Sequence, residues 1–233
     1  MYFYETHCHM KETSRCSQCS GWEMVADYKR RGFSGMVITD HFVNGYSYAA
    51  FPDTWEEKMD AFMKGYHAAK AAGDQLGLKV YLGFEYTYGH GTGEDYLALG
   101  LTEENLRKDL IDCDQWTIEH FIDQVHALGG IIIRAHPYRQ ADYITHPAPE
   151  RPGLPVDAIE VFNGGNGSER YNYQAMEWAM KEKKPMVAGS DTHHTDKNAA
   201  DYIGFEEDPA DYAALCSAIR EGKAFVIHKP KDR

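Results

Sequence analysis

The chain has 233 residues, of which 43% are hydrophobic and 26% charged, and this size and composition predict one globular domain over residues 1–233. No apolar run approaches the roughly 18 residues that a membrane span needs, and the N-terminus lacks a secretory leader pattern, so we expect a cytoplasmic protein without a membrane partner. The formal net charge of −12 disfavours a long nucleic-acid backbone as partner and leaves nucleotides as the exception.

Short apolar runs alternate with amphipathic helical patterns along the chain. The predicted helices begin at Ser20, Thr54, Trp116, Ser168 and Asp211. Apolar runs precede or lie between them, for example at residues 35–39, 78–85, 131–135 and 186–190, and a closing strand is expected at 225–227. This alternation predicts the α/β class with a mainly parallel sheet. The Gly-rich turn at 88–95 lacks the Gly-Lys-Ser/Thr ending of a phosphate loop, so its His90 is not assigned to a site.

The five cysteines are an odd set, which argues against a disulfide framework and for a reducing compartment. Cys16 and Cys19 have the spacing of a zinc or redox pair. No second pair of Cys or His with zinc-finger spacing follows, so we interpret both as structural or incidental.

His7 and His9 follow the first, aromatic strand and are separated by one residue. Side chains alternate along an extended chain, so both imidazoles point to the same side. Two imidazoles there can clamp a metal ion, although a pair of surface histidines is the alternative.

Acidic and imidazole side chains recur where later apolar runs end. They are Asp40, His41, Glu85, His136, Glu160, Asp191 and His193. The C-terminal ends of parallel strands share one edge, so these side chains are expected to converge. The pattern predicts a metal site with more than one ion. Glu160 and nearby Asn163 could order a ligand or a substrate hydroxyl, or simply make local hydrogen bonds.

Five short motifs in this order resemble those of the PHP (polymerase and histidinol phosphatase) superfamily. They are His7-x-His9, Thr39-Asp40-His41, Gly83-x-Glu85, Ala135-His136-Pro137 and Gly189-Ser190-Asp191-x-His193. The resemblance implies a distorted (β/α)7 barrel of TIM-like type. It also implies a metal centre at the C-terminal ends of the strands that hydrolyses phosphoesters.

The resemblance further implies which residues hold two or three divalent ions of Zn, Mn or Fe. The first ion would bind His7, His9, Glu85 and Asp191. Glu85 would bridge to a second ion held by His136 and by Asp95, which stands where many relatives have a histidine. His41 and His193 would hold a third ion or the phosphate. A further histidine that some relatives use for this ion is missing, and Glu12 or nothing replaces it.

The substrate phosphate needs cationic donors beside the metal, and Lys11, Arg15 and Arg139 lie in loops at the predicted metal edge. We expect His41 or His193 to serve as general acid. Asp40 is expected to orient an imidazole. The segment 44–52, with three aromatic residues, is either a lid or a packed surface loop.

The function that follows is metal-dependent hydrolysis of a phosphate monoester of a small metabolite, with histidinol phosphate as one candidate. The alternatives are a phosphodiesterase or exonuclease acting on nucleotides, a non-catalytic metal-binding module, and an amidohydrolase on a related barrel. The scattered Lys and Arg disfavour the nuclease, which needs a basic track.

Overall fold

The computed structural model describes residues 1–89, 91–146, 150–195 and 201–230, and strands and helices alternate through most of them. The strands are β1 (Tyr2–Glu5), β2 (Gly35–Ile38), β3 (Lys79–Thr87), β4 (Asp95–Leu99), β5 (Ile131–Arg134), β6 (Ala158–Asn163), β7 (Met186–Gly189), β8 (Asp201–Phe205) and β9 (Phe225–His228). The helices are α1 (Gly21–Arg30), α2 (Trp55–Leu76), α3 (Glu103–Asp109), α4 (Ile118–Ala127), α5 (Glu169–Glu182) and α6 (Tyr212–Arg220).

The helices begin where their capping residues stand. Ser20 and Thr54 each accept a hydrogen bond from the backbone N–H three residues on, and a glutamate there completes a capping box. Helix α3 was not predicted because its seven residues bury a single apolar side chain, Leu106, which gives no helical periodicity. No helix in the described ranges is both long enough and apolar enough to cross a membrane.

The nine strands form one sheet in the order β7-β6-β5-β4-β3-β2-β1-β8-β9. Strands β1, β2 and β3 are parallel, as are β5, β6 and β7, whereas β4 is antiparallel to both of its neighbours. A parallel bridge from Cys8 to Thr192 joins the chain beyond β1 to the chain beyond β7, with His9 N donating to Thr192 O at 3.1 Å. The sheet is therefore nearly closed, and the predicted distorted barrel is confirmed.

The two faces of the sheet bury different clusters. Alternate residues such as Phe84, Ala98 and Ile132 pack on the outer face with side chains of α2, α4 and α5. Their neighbours, among them Leu97 and Ile133, face the interior of the barrel together with side chains of α6. The period of two puts Glu85, Asp95 and Glu160 on this inner face as well.

Candidate metal centre

The two histidines after β1 meet two carboxylates that come from other parts of the barrel. His7 Nε2 lies 3.4 Å from Glu85 Oε1 and 3.6 Å from Asp191 Oδ1. His9 Nε2 lies 3.1 Å from Asp191 Oδ1 and 3.7 Å from Glu85 Oε2. All four side chains are buried. The residues expected to hold a first ion are thus brought together.

Glu85 also faces the residues expected around a second ion. His136 Nε2 lies 3.0 Å from Glu85 Oε1 and 3.9 Å from Asp95 Oδ2. Asp95 stands at the start of β4, and β4 runs antiparallel to β3, so its first residue lies beside the C-terminal end of β3. The hairpin therefore brings an acidic side chain to the metal edge although Asp95 lies at the N-terminal end of its strand.

The two remaining histidines lie on the other side of His9. His41 and His193 stack on the His9 ring with centroid distances of 4.5 and 4.4 Å. One ligand atom from each of the three rings lies within 4.8 Å of the others. His193 Nδ1 hydrogen-bonds the main-chain oxygen of Asp191 at 2.9 Å, which leaves Nε2 as its free ligand atom.

Unpaired polar atoms in this cluster match what bound cations would satisfy. Among the described residues, His7 Nε2, His41 Nδ1, Glu85 Oε2 and His136 Nδ1 are buried side-chain atoms without a hydrogen-bond partner. His41 Nδ1 and Glu85 Oε2 are only 2.7 Å apart, yet they lack hydrogen-bond geometry. Buried polar groups are normally paired. The nitrogen and carboxylate donors therefore fit a site for Zn, Mn or Fe ions.

Electrostatics within the cluster keep two of its carboxylates, those of Glu85 and Asp191, ionised. Burial alone would raise the pKa of Glu85, but His41 and His7 lower it well below its usual range. Burial likewise opposes ionisation of Asp191, while Arg139 and His7 hold its pKa well below the usual range. Both side chains are consequently anionic ligands at neutral pH.

One buried carboxylate orients two of the histidines. Glu160 Oε1 pairs with His7 Nδ1 at 2.9 Å, and Glu160 Oε2 accepts from the backbone N–H of His136 at 3.0 Å and from Asn163 Nδ2 at 2.8 Å. A hydrogen bond at Nδ1 directs His7 Nε2 toward Glu85 and Asp191. Of the two interpretations left open by the sequence, the geometry supports a role in ordering a ligand.

Glu5 is a further positioning residue, and sequence reasoning missed it. Its Oε1 accepts the backbone N–H groups of His7 at 2.8 Å and Ser190 at 3.0 Å, and its Oε2 accepts from Tyr28 Oη at 2.6 Å. Burial raises the pKa of Glu5 to about 7. A glutamate that ends an aromatic strand is the signal that could have identified it.

The backbone is strained at two of the candidate ligands. His136 has φ of 24° and Asp191 has φ of 50°, a region that residues other than glycine seldom adopt. Each such residue costs on the order of 1–3 kcal/mol, and such residues cluster at functional sites. Each residue lies two positions after the end of a strand, so the strained turn directs the side chain to the centre.

Two of the predicted residues lie beside the cluster of candidate ligands. The Nζ atom of Lys11 lies 3.6 Å from Glu23 Oε2, and Lys11 is not among the residues that line the cavity. Asp40 contacts no imidazole directly in the described structure. Its Oδ1 accepts from Met10 N and from Ser14 Oγ, both at 2.6 Å. Ser14 Oγ in turn lies 3.4 Å from His9 Nδ1. Asp40 therefore fixes the loop after β1, because both groups that donate to its Oδ1 belong to that loop.

The predicted arginines differ in position. Arg139 lines the cavity above the cluster, where it donates to Asp191 Oδ2 and, at 2.6 Å, to Asn163 Oδ1. The Arg15 guanidinium instead stacks on Tyr46 and Phe51, 4.4 and 4.9 Å from their ring centroids. Tyr46 itself lines the cavity, so Arg15 lies beside its mouth.

The cluster opens into a large cavity of about 910 Å³. Side chains of His41, His193, Arg139 and Tyr143 line it. Ligand sites for small molecules are usually about 300–1,000 Å³. The cavity is therefore large enough for a metabolite. His90 lies outside the described residues.

Comparisons with known proteins agree with this fold. A family model described as PHP-associated matches residues 169–224. The fold resembles a two-domain protein from Bacteroides vulgatus that contains a predicted PHP-like metal-dependent phosphoesterase, with a TM-score of 0.72, 14% identity and coverage of 97% of this chain and 64% of that one. This chain thus spans less than two thirds of that two-domain protein.

Two further structures share the fold. An amidohydrolase from Chromobacterium violaceum, with bound sulfate and no metal, has a TM-score of 0.57 at 13% identity over 95% of this chain and 97% of that one. Endonuclease Q in complex with a duplex carrying an abasic lesion has a TM-score of 0.58 at 12% identity over 94% of this chain and 56% of that one. The comparison with curated proteins gave no match. A PHP-associated family model thus matches the C-terminal part of this chain, and the chain shares its fold with a predicted PHP-like metal-dependent phosphoesterase.

Proposed function

We propose that this protein is a metal-dependent phosphoesterase that hydrolyses the phosphate monoester of a small metabolite. One observation carries the proposal. Imidazoles and carboxylates from separate strand ends converge below a cavity, and several of their ligand atoms are buried without a hydrogen-bond partner. The converging residues are His7, His9, His41, Glu85, Asp95, His136, Asp191 and His193.

The chemistry depends on divalent ions held by these residues. Two or three bound ions supply positive charge for the phosphoryl oxygens and a water that is nucleophilic at neutral pH. Glu85 is suited to bridge two ions, since its two oxygens face different partners: Oε1 lies near His136 and Oε2 near His41. The protein holds the ligands in place through Glu160 and Glu5.

Arg139 is the side chain best placed to bind the substrate phosphate. Its guanidinium lines the cavity directly above Asp191 and is held by Asn163 and Asn166. A planar guanidinium can donate to two phosphate oxygens at once. His193, whose side chain is 23% exposed, can deliver a proton to the leaving oxygen when no third ion occupies its ring nitrogen.

Charge and cavity shape support a small monoester over a nucleic acid. The net charge of −12 opposes a polyanion, whereas a single phosphate can be neutralised by the bound ions and Arg139. Aromatic residues Tyr46 and Tyr143 line the cavity and suit the organic part of a metabolite. The likeness to endonuclease Q favours a nucleotide phosphodiester as the second candidate.

The test compares hydrolysis of p-nitrophenyl phosphate with that of bis-p-nitrophenyl phosphate after loading with Mn, Zn or Fe(II). We expect the monoester to be the better substrate and Asp191→Asn to abolish its hydrolysis. The matched control is Asp74→Asn, at an exposed helix residue that pairs with Lys70. Preference for the diester would support the second candidate. Metal binding without hydrolysis of either ester would indicate a non-catalytic module, and activity retained by Asp191→Asn would refute the proposed centre.

A further inference from the structure

Cys16 lies in the loop after β1, and its side chain faces the metal centre. It lines the cavity together with His41 and His193. Burial raises the pKa of its thiol, but interactions with His193 and His41 lower this pKa to about 7. The sequence had indicated a structural or incidental role for this residue, so its position beside two candidate ligands was not expected.

Hydrogen bonds to other loops fix the loop that carries Cys16. Arg15 N donates to Tyr46 O at 3.0 Å, Ser17 Oγ to His9 O at 2.8 Å, and Gln18 N to His193 O at 3.0 Å. These bonds flank Cys16 on both sides and tie its loop to the segments that carry the imidazoles. The position of the thiol therefore follows from several independent contacts.

Neighbouring candidates for the same role are directed elsewhere. Both Glu12 carboxylate oxygens lie 3.2 Å from the backbone N–H of Gly21, at the start of α1, so Glu12 does not replace the missing histidine. Cys19 Sγ pairs with Thr195 Oγ1 at 3.8 Å, and Cys8 Sγ with Val37 O at 3.3 Å. Of these side chains, Cys16 is the one that lines the cavity with His41 and His193.

The imidazoles next to Cys16 have ligand atoms available. His41 Nδ1 is buried without a hydrogen-bond partner. His193 uses Nδ1 for the Asp191 carbonyl and keeps Nε2 free. Together with His9 these rings form a group with metal-ligand spacing, which indicates a cation site at the rings independently of Cys16.

We propose that Cys16, His41 and His193 bind the third cation of the centre through one sulfur and two nitrogen atoms. The thiol proton is released to solvent when the ion binds, so the sulfur ligates as thiolate. A ligand set of thiolate and imidazole favours Zn, Co(II) or Fe(II) over Mn and Mg. The inference rests on the proposed function in so far as it needs the metal centre, but it does not depend on the substrate.

The test is spectroscopic and uses the full chain, stripped of metal with a chelator and titrated with Co(II). Thiolate ligation gives a sulfur-to-cobalt charge-transfer band in the near ultraviolet. We expect this band in the wild type and in Cys19→Ser, the matched control, and its loss in Cys16→Ser. Elemental analysis after Zn loading should show one ion fewer per chain in Cys16→Ser.

A second variant separates a ligand from a merely structural residue. Cys16→His should restore the bound ion without restoring the charge-transfer band, since imidazole can replace thiolate as a ligand. A band that persists in Cys16→Ser, or full Co(II) loading of the wild type without the band, would overturn this inference and leave the proposed function intact. Failure of the wild type to bind any cation would overturn both.

Discussion

Replacing Glu160 with glutamine should weaken metal binding while leaving the fold intact. The Glu160 carboxylate accepts hydrogen bonds on both oxygens, from His7 Nδ1 on one and from His136 N and Asn163 Nδ2 on the other. A glutamine has one oxygen and one NH₂ group. In either orientation its NH₂ group therefore faces a donor that the carboxylate had satisfied.

The consequence for His7 can be followed atom by atom. If the amide NH₂ group faces Nδ1, the ring must accept there and carry its proton on Nε2, the atom that faces Glu85 and Asp191. A protonated Nε2 cannot bind a metal ion. If the amide is turned the other way, the donors of His136 and Asn163 lose their acceptor, and the backbone at His136 is less well held.

The expected loss is about one to two orders of magnitude in metal affinity. A hydrogen bond to a charged group contributes roughly 1.5–3 kcal/mol. Changes to groups that orient metal-binding histidines typically cost about 10- to 100-fold in affinity. Because about 1.4 kcal/mol corresponds to a tenfold change in a dissociation constant, the two magnitudes agree.

The assay is competition with a chromophoric chelator for Zn, with circular dichroism as a check on the fold. Asp27→Asn is the matched control. Asp27 is also a buried carboxylate, with 8% of its surface exposed, and the change likewise replaces it by an amide. However, Asp27 lies on α1 and pairs with Arg30 and Arg31, away from the centre. If Glu160→Gln binds Zn within about twofold of the wild type, the carboxylate does not orient the ligands and the reasoning is refuted.

Three further changes probe other parts of the site. Gly189→Ala should lower Zn affinity at least about tenfold, measured by the same competition, because a Cβ there would lie 2.4 Å from His7 Cβ and 2.6 Å from Glu160 Oε1. Burial raises the pKa of Asp40 to about 7 from its usual 3.8, so its contribution to the free energy of unfolding is present below about pH 4 and lost as the pH rises through about 7. In urea unfolding of the metal-free protein, Asp40→Asn should therefore gain stability relative to the wild type across that window, by up to roughly 4 kcal/mol. Arg139→Lys should lower kcat/KM for a phosphate monoester about tenfold or more in steady-state assays, since an ammonium cannot make the paired contacts of a guanidinium.

For each of these three changes, a control variant or a contradicting result can be stated. Gly167→Ala places its methyl group in open space and should leave Zn affinity unchanged. Equal losses in both glycine variants would contradict the packing argument. Stability curves of Asp40→Asn and the wild type that run parallel with pH would show that the carboxyl is not perturbed. Arg15→Lys, which alters a guanidinium stacked on Tyr46 at the cavity mouth, should change kcat/KM less than Arg139→Lys does.

Residues at strand ends were predicted well because strand geometry determines their direction. Glu85 and Asp191 come from β3 and from the turn directly after β7, and the closed sheet brings both beside His7. In a parallel sheet the C-terminal end of every strand reaches the same edge, so position along the chain is enough to predict convergence. Asp95 reaches the same edge through the antiparallel hairpin of β3 and β4, which the predicted mainly parallel sheet did not include.

Loop residues could not be placed in this way. Lys11, Glu12 and Cys16 occupy one polar loop, yet the first pairs with Glu23, the second contacts the start of α1, and the third faces the cavity. The position of this loop depends on hydrogen bonds to residues far along the chain, such as Gln18 N to His193 O. The amino-acid composition of the loop does not indicate such long-range hydrogen bonds.

The alternation of strands and helices, the candidate ligand types and their convergence at one edge were determined by the sequence itself, because strand periodicity acts locally. Helix α3 and strand β8 were not predicted. The sharing of Glu160 between His7 and His136, and the position of Cys16 on the cavity wall with His41 and His193, were decided only by the tertiary structure. The physical reason is that a side chain's hydrogen-bond partner depends on which distant segments the closed barrel brings within about 3 Å of it.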